Sequence, residues 1–180
     1  MSQTIVANET PAPPPIAPGP MHTLSILVNN QPGVLMRICQ VFSRRGFNID
    51  SLVVSEGRNV NFSRMTIGVS GDPQGLSQII MQVSKLIDVI HCFEHTSENS
   101  VTKEMILIKI RCSPDERSMA LQITEHFSGK TVDLTPNSMI VMFNGDSPKI
   151  DAAVAMFSQF NIIETVRTGK VVMARGEQPT

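Results

Sequence analysis

The chain has 180 residues, 41% of them hydrophobic and 17% charged, and its 15 basic and 16 acidic side chains leave a formal charge of −1. This is an ordinary globular composition, and a chain of this length buries roughly 70% of its unfolded surface, enough for one or two domains without staples. It argues against a nucleic-acid binder, which needs a basic stripe for phosphates and, for single strands, stacking aromatics, because the basic residues are scattered and Trp and Tyr are absent.

Cys39, Cys92 and Cys112 are an odd number with no CxxC spacing, and two of them fall in apolar segments, which fits packed thiols in a reducing compartment. No apolar run approaches the ~20 residues of a membrane span, and no basic region followed by an apolar core opens the chain. The sequence therefore predicts a cytoplasmic protein with no membrane partner.

Residues 1–20 are Pro-rich, lack Lys and Arg, and show no periodicity; they read as an extended, disordered tail. From Met21 the pattern becomes regular. Leu24, Ile26 and Val28 alternate at strand period, and after an Asn-x-Pro-Gly turn Val34, Ile38, Val41 and Phe42 recur at helical spacing until Gly46. A strand over 49–56, a loop at "EGRN" and a strand over 62–70 follow. Asp72 then caps a helix whose apolar stripe runs from Leu76 to Ile87, and 88–95 is a fourth strand.

Residues 97–103 are polar and read as a linker, after which the same order returns. "MILIKIRC" is a strand, Asp115 to Phe127 a helix with Met119, Ile123 and Phe127 on one side, "KTVDL" and "SMIVMFNG" strands, and Ile150, Val154 and Phe157 mark another helix before strands around "RTG". The fold class is α+β: two tandem ferredoxin-like β-α-β-β-α-β units, over 21–96 and 104–175, each with helices covering one face of an antiparallel sheet. Strands apolar on both sides imply that some sheet surface is covered by another chain.

The tools of catalysis are missing from the sequence: there is no GxSxG, GxxxxGK[ST], HExxH or GxGxxG. His91 and His95 share a strand face while Cys92 points the other way, so they read as structural rather than as metal ligands. Asp72, Asp115, Glu116, Asp146 and Asp151 lie at loops and helix starts, where capping and the helix dipole account for them. Lys109, Glu125 and His126 are the only raw material for an enzyme in the second unit.

The Asn30 to Gly33 turn has two readings. It is an ordinary turn, or its glycine opens the helix N-terminus to an anion such as a carboxylate. Asn48 carries a carbonyl acceptor suited to an ammonium group, and Val34, Leu35 and Ile49 are apolar neighbours that favour an aliphatic side chain. Carboxylate, ammonium and aliphatic group together describe a free amino acid.

"NNQPGVLMRICQVFSRRGFNIDSL", "FSRMTI" and "QVSKLIDVI" closely resemble the small, regulatory subunits of acetolactate synthase, and "KEMILIKI", "DLTPNSM" and "RTG" match that family more loosely. The resemblance covers residues 21–175 and implies that 21–96 is an ACT domain, an amino-acid-sensing module. It implies a chain with no catalytic residues and no cofactor or metal of its own. Thiamine diphosphate, Mg and FAD are expected in the catalytic large subunit, its partner. It further implies a homodimer through ACT domains and feedback inhibition by valine or another branched-chain amino acid. Carried over by position, the effector site comprises Asn30, Gly33, Val34 and Leu35 from one chain and Asn48 and Ile49 from another. Pro32 stands where some relatives have a small polar residue. A stand-alone ACT-type sensor of a different partner is the alternative.

Overall fold

The computed structural model describes residues 21–177 and 179–180; the expected Pro-rich tail lies outside them. The first unit runs β1 (Met21–Asn29), α1 (Val34–Arg44), β2 (Ile49–Glu56), β3 (Phe62–Ser70), α2 (Pro73–Val83) and β4 (Val89–His95). The second runs β5 (Ser100–Arg111), α3 (Pro114–His126), β6 (Lys130–Leu134), β7 (Ser138–Gly145), α4 (Ser147–Phe157), β8 (Asn161–Arg167) and β9 (Val171–Ala174). The sheets have the matching orders β2-β3-β1-β4 and β6-β7-β5-β8, and all their pairings are antiparallel. Two ferredoxin-like units in tandem are therefore what the sequence folds into.

Each unit has its own core because strand alternation and helix period point apolar residues at the same layer. In the first, Leu24, Ile26 and Val28 of β1 and Met65, Ile67 and Val69 of β3 meet Ile38 and Phe42 of α1 and Leu76 and Ile79 of α2. In the second, Ile106, Ile108 and Ile110 meet Met139, Val141, Phe143, Ile150 and Phe157. The polar ends of the helices are equally legible. Asp72 accepts from the Gln74 and Gly75 N–H groups at 2.9 Å, and Ser113 with Glu116 forms a capping box on α3.

Three details depart from the sequence pattern. Ser100 to Lys103, expected within the linker, belong to β5 and pair with Val171 to Ala174 of β9, which supplies the backbone partners a polar tract would otherwise take from water. The helical stripe stops at Val83. Lys85 and Leu86 donate to the Gln82 and Val83 carbonyls in a tightening turn, so Leu86 still packs on the core while Ile87 is exposed. Met119 is exposed as well; Ala120, Ile123 and Thr124 are the buried face of α3.

The face of the first sheet away from its helices is partly covered by this same chain. Gly169 lies against Ser51 and Val53, and His91 Nε2 meets the Thr180 carbonyl oxygen at 3.0 Å. Thr23, Ser25 and Thr66, on that face by alternation, are consequently buried. Among the described residues, no helix is long and apolar enough to cross a membrane.

Candidate functional site

The entrance to α1 is built by the turn chemistry that the sequence displays. The Asn30 backbone N–H donates to the Asn61 carbonyl at 2.7 Å, and its side-chain Nδ2 donates to the Val60 carbonyl at 3.0 Å. Asn30 thus ties the turn to the β2–β3 loop and keeps its side-chain oxygen. Gly33 occupies the N-cap position with φ +83°, a conformation that favours glycine, and no side chain caps this helix, unlike α2 and α3. The leading N–H groups of α1 consequently lack a capping side chain and carry the positive end of the helix dipole.

The residues around that entrance divide by burial. Val34 is a core residue, 3% exposed, whereas Leu35 and Met36 are open to solvent. Beside them stands Arg37, which no sequence motif singled out. Arg37 Nη1 lies 3.2 Å from where a Cβ on Gly33 would be, and its guanidinium donates to Asp88 Oδ2 from Nε at 2.9 Å and Nη2 at 2.6 Å. Its position one turn into the helix, on the same side as Gly33, was the available signal.

Asn48 and Ile49 lie elsewhere. With Cys39, Phe42, Ser43, Gly46 and Phe47 they line a shallow hollow of about 430 Å³ at the far end of α1. Asn48 Nδ2 donates to Asp50 Oδ1 at 3.0 Å, and Ser70 Oγ donates to Asp50 Oδ2 at 2.6 Å. The Asn48 side-chain oxygen takes no part in these bonds, and the Asp50 carboxylate lies against the amide nitrogen beside it. Both features suit an ammonium group.

Within one chain these two sets do not converge. The 11 residues of α1 separate them by about 16 Å, and Asn29 pairs with Phe62 while Ile49 pairs with Val69, opposite ends of β3. A site using both needs a second copy.

Between the units, a cleft of about 450 Å³ is lined by Asp50, Ser51, Glu104, Asp151, Arg167 and Gly169, among others. Arg167 donates to both oxygens of Glu104, at 2.6 and 2.7 Å, and to Asp151 at 2.7 Å. The Arg167 hydrogen bond, working against burial, holds the Glu104 carboxyl below its ordinary range, and the same bond raises the guanidinium above its own. Nothing in the spacing of these residues foretold the cluster, because they come from β5, α4 and β8.

The other candidates make contacts of their own within the chain. His91 stacks on Phe93, and His95 Nε2 meets Ser25 Oγ at 2.7 Å. Cys92 faces the core, where burial pushes its thiol up to about 12. Among the described residues no group of His, Cys, Asp or Glu is placed to hold a metal ion. Lys109 alternates with the buried Ile108 and Ile110 and so faces away from the layer that holds Glu125 and His126. That trio is not assembled into a site.

Similarity to known proteins covers both units. Residues 24–91 match the AHAS small subunit-like ACT domain, and residues 103–176 match the small subunit of acetolactate synthase. The "Probable acetolactate synthase small subunit" of Archaeoglobus fulgidus is 42% identical over 157 residues, 87% of this chain and 98% of its own length. The acetolactate synthase small subunit of Mycobacterium leprae is 41% identical over 157 residues, 87% of this chain and 93% of its own. The crystal structure of the Thermotoga maritima acetolactate synthase small subunit superposes with a TM-score of 0.79 at 36% identity, covering 88% of this chain and 99% of that one. With both units, their order and nearly the full length of these relatives accounted for, the chain belongs to the acetolactate synthase small-subunit family.

Proposed function

We propose that this chain binds an acetolactate synthase large subunit, raises its activity, and makes it subject to inhibition by valine or another branched-chain amino acid. Thiamine diphosphate, Mg and FAD are assigned to the large subunit, and the chain contributes regulation rather than reacting groups.

The observation that carries the effector half is the separation of the two half-sites on one protomer combined with the edge position of β2. That strand ends its sheet, and Val54 and Val60 beside the edge are exposed. Antiparallel pairing of β2 with its copy would set the Ile49 end of one strand against the Glu56 end of the other. The Glu56 end adjoins the β2–β3 loop to which Asn30 is tied. A dimer of this kind joins the anion-seeking entrance of one chain to the ammonium-seeking Asn48 of its partner. Asn30, the Gly33 turn and the leading N–H groups of α1 take the carboxylate, with Arg37 adding charge. Val34 contributes backbone only, and Leu35 and Ile49 flank the aliphatic group.

Regulation then follows from linkage. Valine shifts the complex toward its less active arrangement only by its differential affinity for that arrangement, and a tenfold effect needs ~1.4 kcal/mol. The test is acetolactate formation by a large subunit, with and without this chain, across a valine titration. Stimulation that valine suppresses supports the reading. An unchanged rate moves the chain to a different regulated partner.

A further inference from the structure

The two units touch where the Thr168–Gly169–Lys170 turn, between β8 and β9, reaches the first residues of β2. Gly169 has φ +83°, and a Cβ built on it would stand 2.8 Å from Ser51 Cβ and 3.6 Å from Val53 Cγ2. The turn therefore sits on Ser51 as closely as a residue without a side chain allows. Ser51 is confined from a second direction: Gly68 is its partner across the β2–β3 pairing, and a Cβ there would stand 2.5 Å from Ser51 Oγ. Held between two glycines, the Ser51 side chain has little room to move without displacing one of them.

Each side of this contact is anchored to something different. The turn is fastened to the C-terminal unit: Thr168 N–H donates to the Met105 carbonyl at 3.0 Å, the Met105 N–H donates to Thr168 Oγ1 at 3.2 Å, and the adjacent Arg167 holds Glu104 and Asp151. Ser51 lies two residues beyond the ammonium half-site of Asn48 and Ile49. Asp50, bonded to both Asn48 and Ser70, lies between, and the β2–β3 register shifts between Ile49 and Ser51. Such an irregularity is a place where a strand can take up a small change in the position of Asn48 without unpairing. The cleft of about 450 Å³ beside the contact leaves the turn space to move.

We propose that the Ser51–Gly169 contact is the joint through which an amino acid bound at Asn48 and Ile49 acts on the C-terminal unit and, through it, on the large subunit. The proposal rests on the effector reading above and specifies its route: ligand re-sets the irregular start of β2, Ser51 carries the change to the turn, and Arg167 carries it to β5 and α4. A bistable element biased from both ends is what coupling between distant sites requires.

The experiment uses the full chain with its large subunit and reads three quantities: valine binding by calorimetry, activation without valine, and inhibition across a valine titration. Gly169→Ala inserts a methyl against Ser51, Ser51→Gly empties the contact, and the double variant refills it from the opposite side. Each single variant is expected to bind valine within about twofold of wild type and to activate normally. Because valine still binds, the loss is read in the extent of inhibition: at saturating valine the fold reduction in rate should collapse toward one, a tenfold loss corresponding to ~1.4 kcal/mol of coupling. The double variant should regain most of the inhibition. Wild-type inhibition in both single variants, with normal binding, overturns the joint while leaving the effector site standing. Absence of valine binding by the wild-type chain overturns the effector reading and the joint with it. Should Gly169→Ala fail to fold, Ser51→Gly, which adds no bulk and no backbone strain, separates the same outcomes alone.

Discussion

Arg167 donates to both carboxylate oxygens of Glu104, at 2.6 and 2.7 Å, although the Glu104 side chain is only 3% exposed and the two residues lie 63 positions apart. A bidentate pair of this geometry fixes the end of β8 to β5 beside the contact between the units.

Removing the guanidinium orphans a buried carboxylate. Arg167→Met should destabilise the fold by about 2–3 kcal/mol at neutral pH, less than the full cost of stranding a charge in a wholly buried pair because Arg167 is itself partly open to solvent. Glu104 has a lowered folded-state pKa, so its stabilisation is fully present above the ordinary carboxylate range and is lost as pH falls through the lowered value. Urea unfolding of wild type and Arg167→Met should therefore show a gap at neutral pH that narrows below about pH 4. A gap that persists unchanged into acid would mean the loss is packing rather than charge.

Gly33→Asp should leave activation of the large subunit intact and weaken valine inhibition at least tenfold. It places bulk and negative charge at the α1 entrance, in a left-handed conformation that costs a β-carbon about 1 kcal/mol. Asn48→Ala should be equally insensitive. In the proposed dimer each site draws on two chains, so equal amounts of the two insensitive variants, unfolded and refolded together, should recover roughly a quarter of the sites, the share expected for random pairing. Calorimetric titration of the mixture checks this, and no recovery would place both half-sites on one chain.

Thiol reactivity should separate the cysteines. Cys39 is partly exposed, whereas Cys92 and Cys112 are buried and burial raises both thiols, Cys92 to about 12. Under native conditions an aromatic disulfide reagent should titrate a single equivalent per chain, and in denaturant all three. Mass mapping should place the first label on Cys39.

His95 contributes a pH dependence near neutrality. Burial first, then Arg64 and His91, lower its pKa in the folded state. The unfolded chain then binds more protons between the lowered value and the ordinary 6.5, so stability rises with pH across that interval and levels off above it. Denaturation midpoints from about pH 5 to about pH 7.5 should follow this slope in wild type and flatten in His95→Gln. An equal slope in both would assign the effect to another group.

Local chemistry made most of the elements readable. Alternation in "LSILV", helical spacing from Val34 to Phe42, and the capping residues Asp72 and Glu116 are signals whose causes act within one or two turns of chain. They fail after Val83, where a tight turn rather than composition ended the helix, and at Ser100, where a strand partner 74 residues away turned a polar tract into sheet.

The candidate site divides the same way. Gly33 and Asn48 stood out because a turn and a polar residue flanking apolar runs carry their own physical reason. The burial of the Val34 side chain, the presence of Arg37 beside Gly33, and the distance between the Gly33 and Asn48 ends of α1 depended on packing. Periodicity and backbone sterics act locally, so the order of residues was enough to specify two βαββαβ units, the apolar faces of their helices and a glycine-led entrance to α1. The cluster of Glu104, Asp151 and Arg167 and the seating of Gly169 on Ser51 came from three-dimensional packing instead, because these contacts join residues whose separation along the chain leaves no local trace.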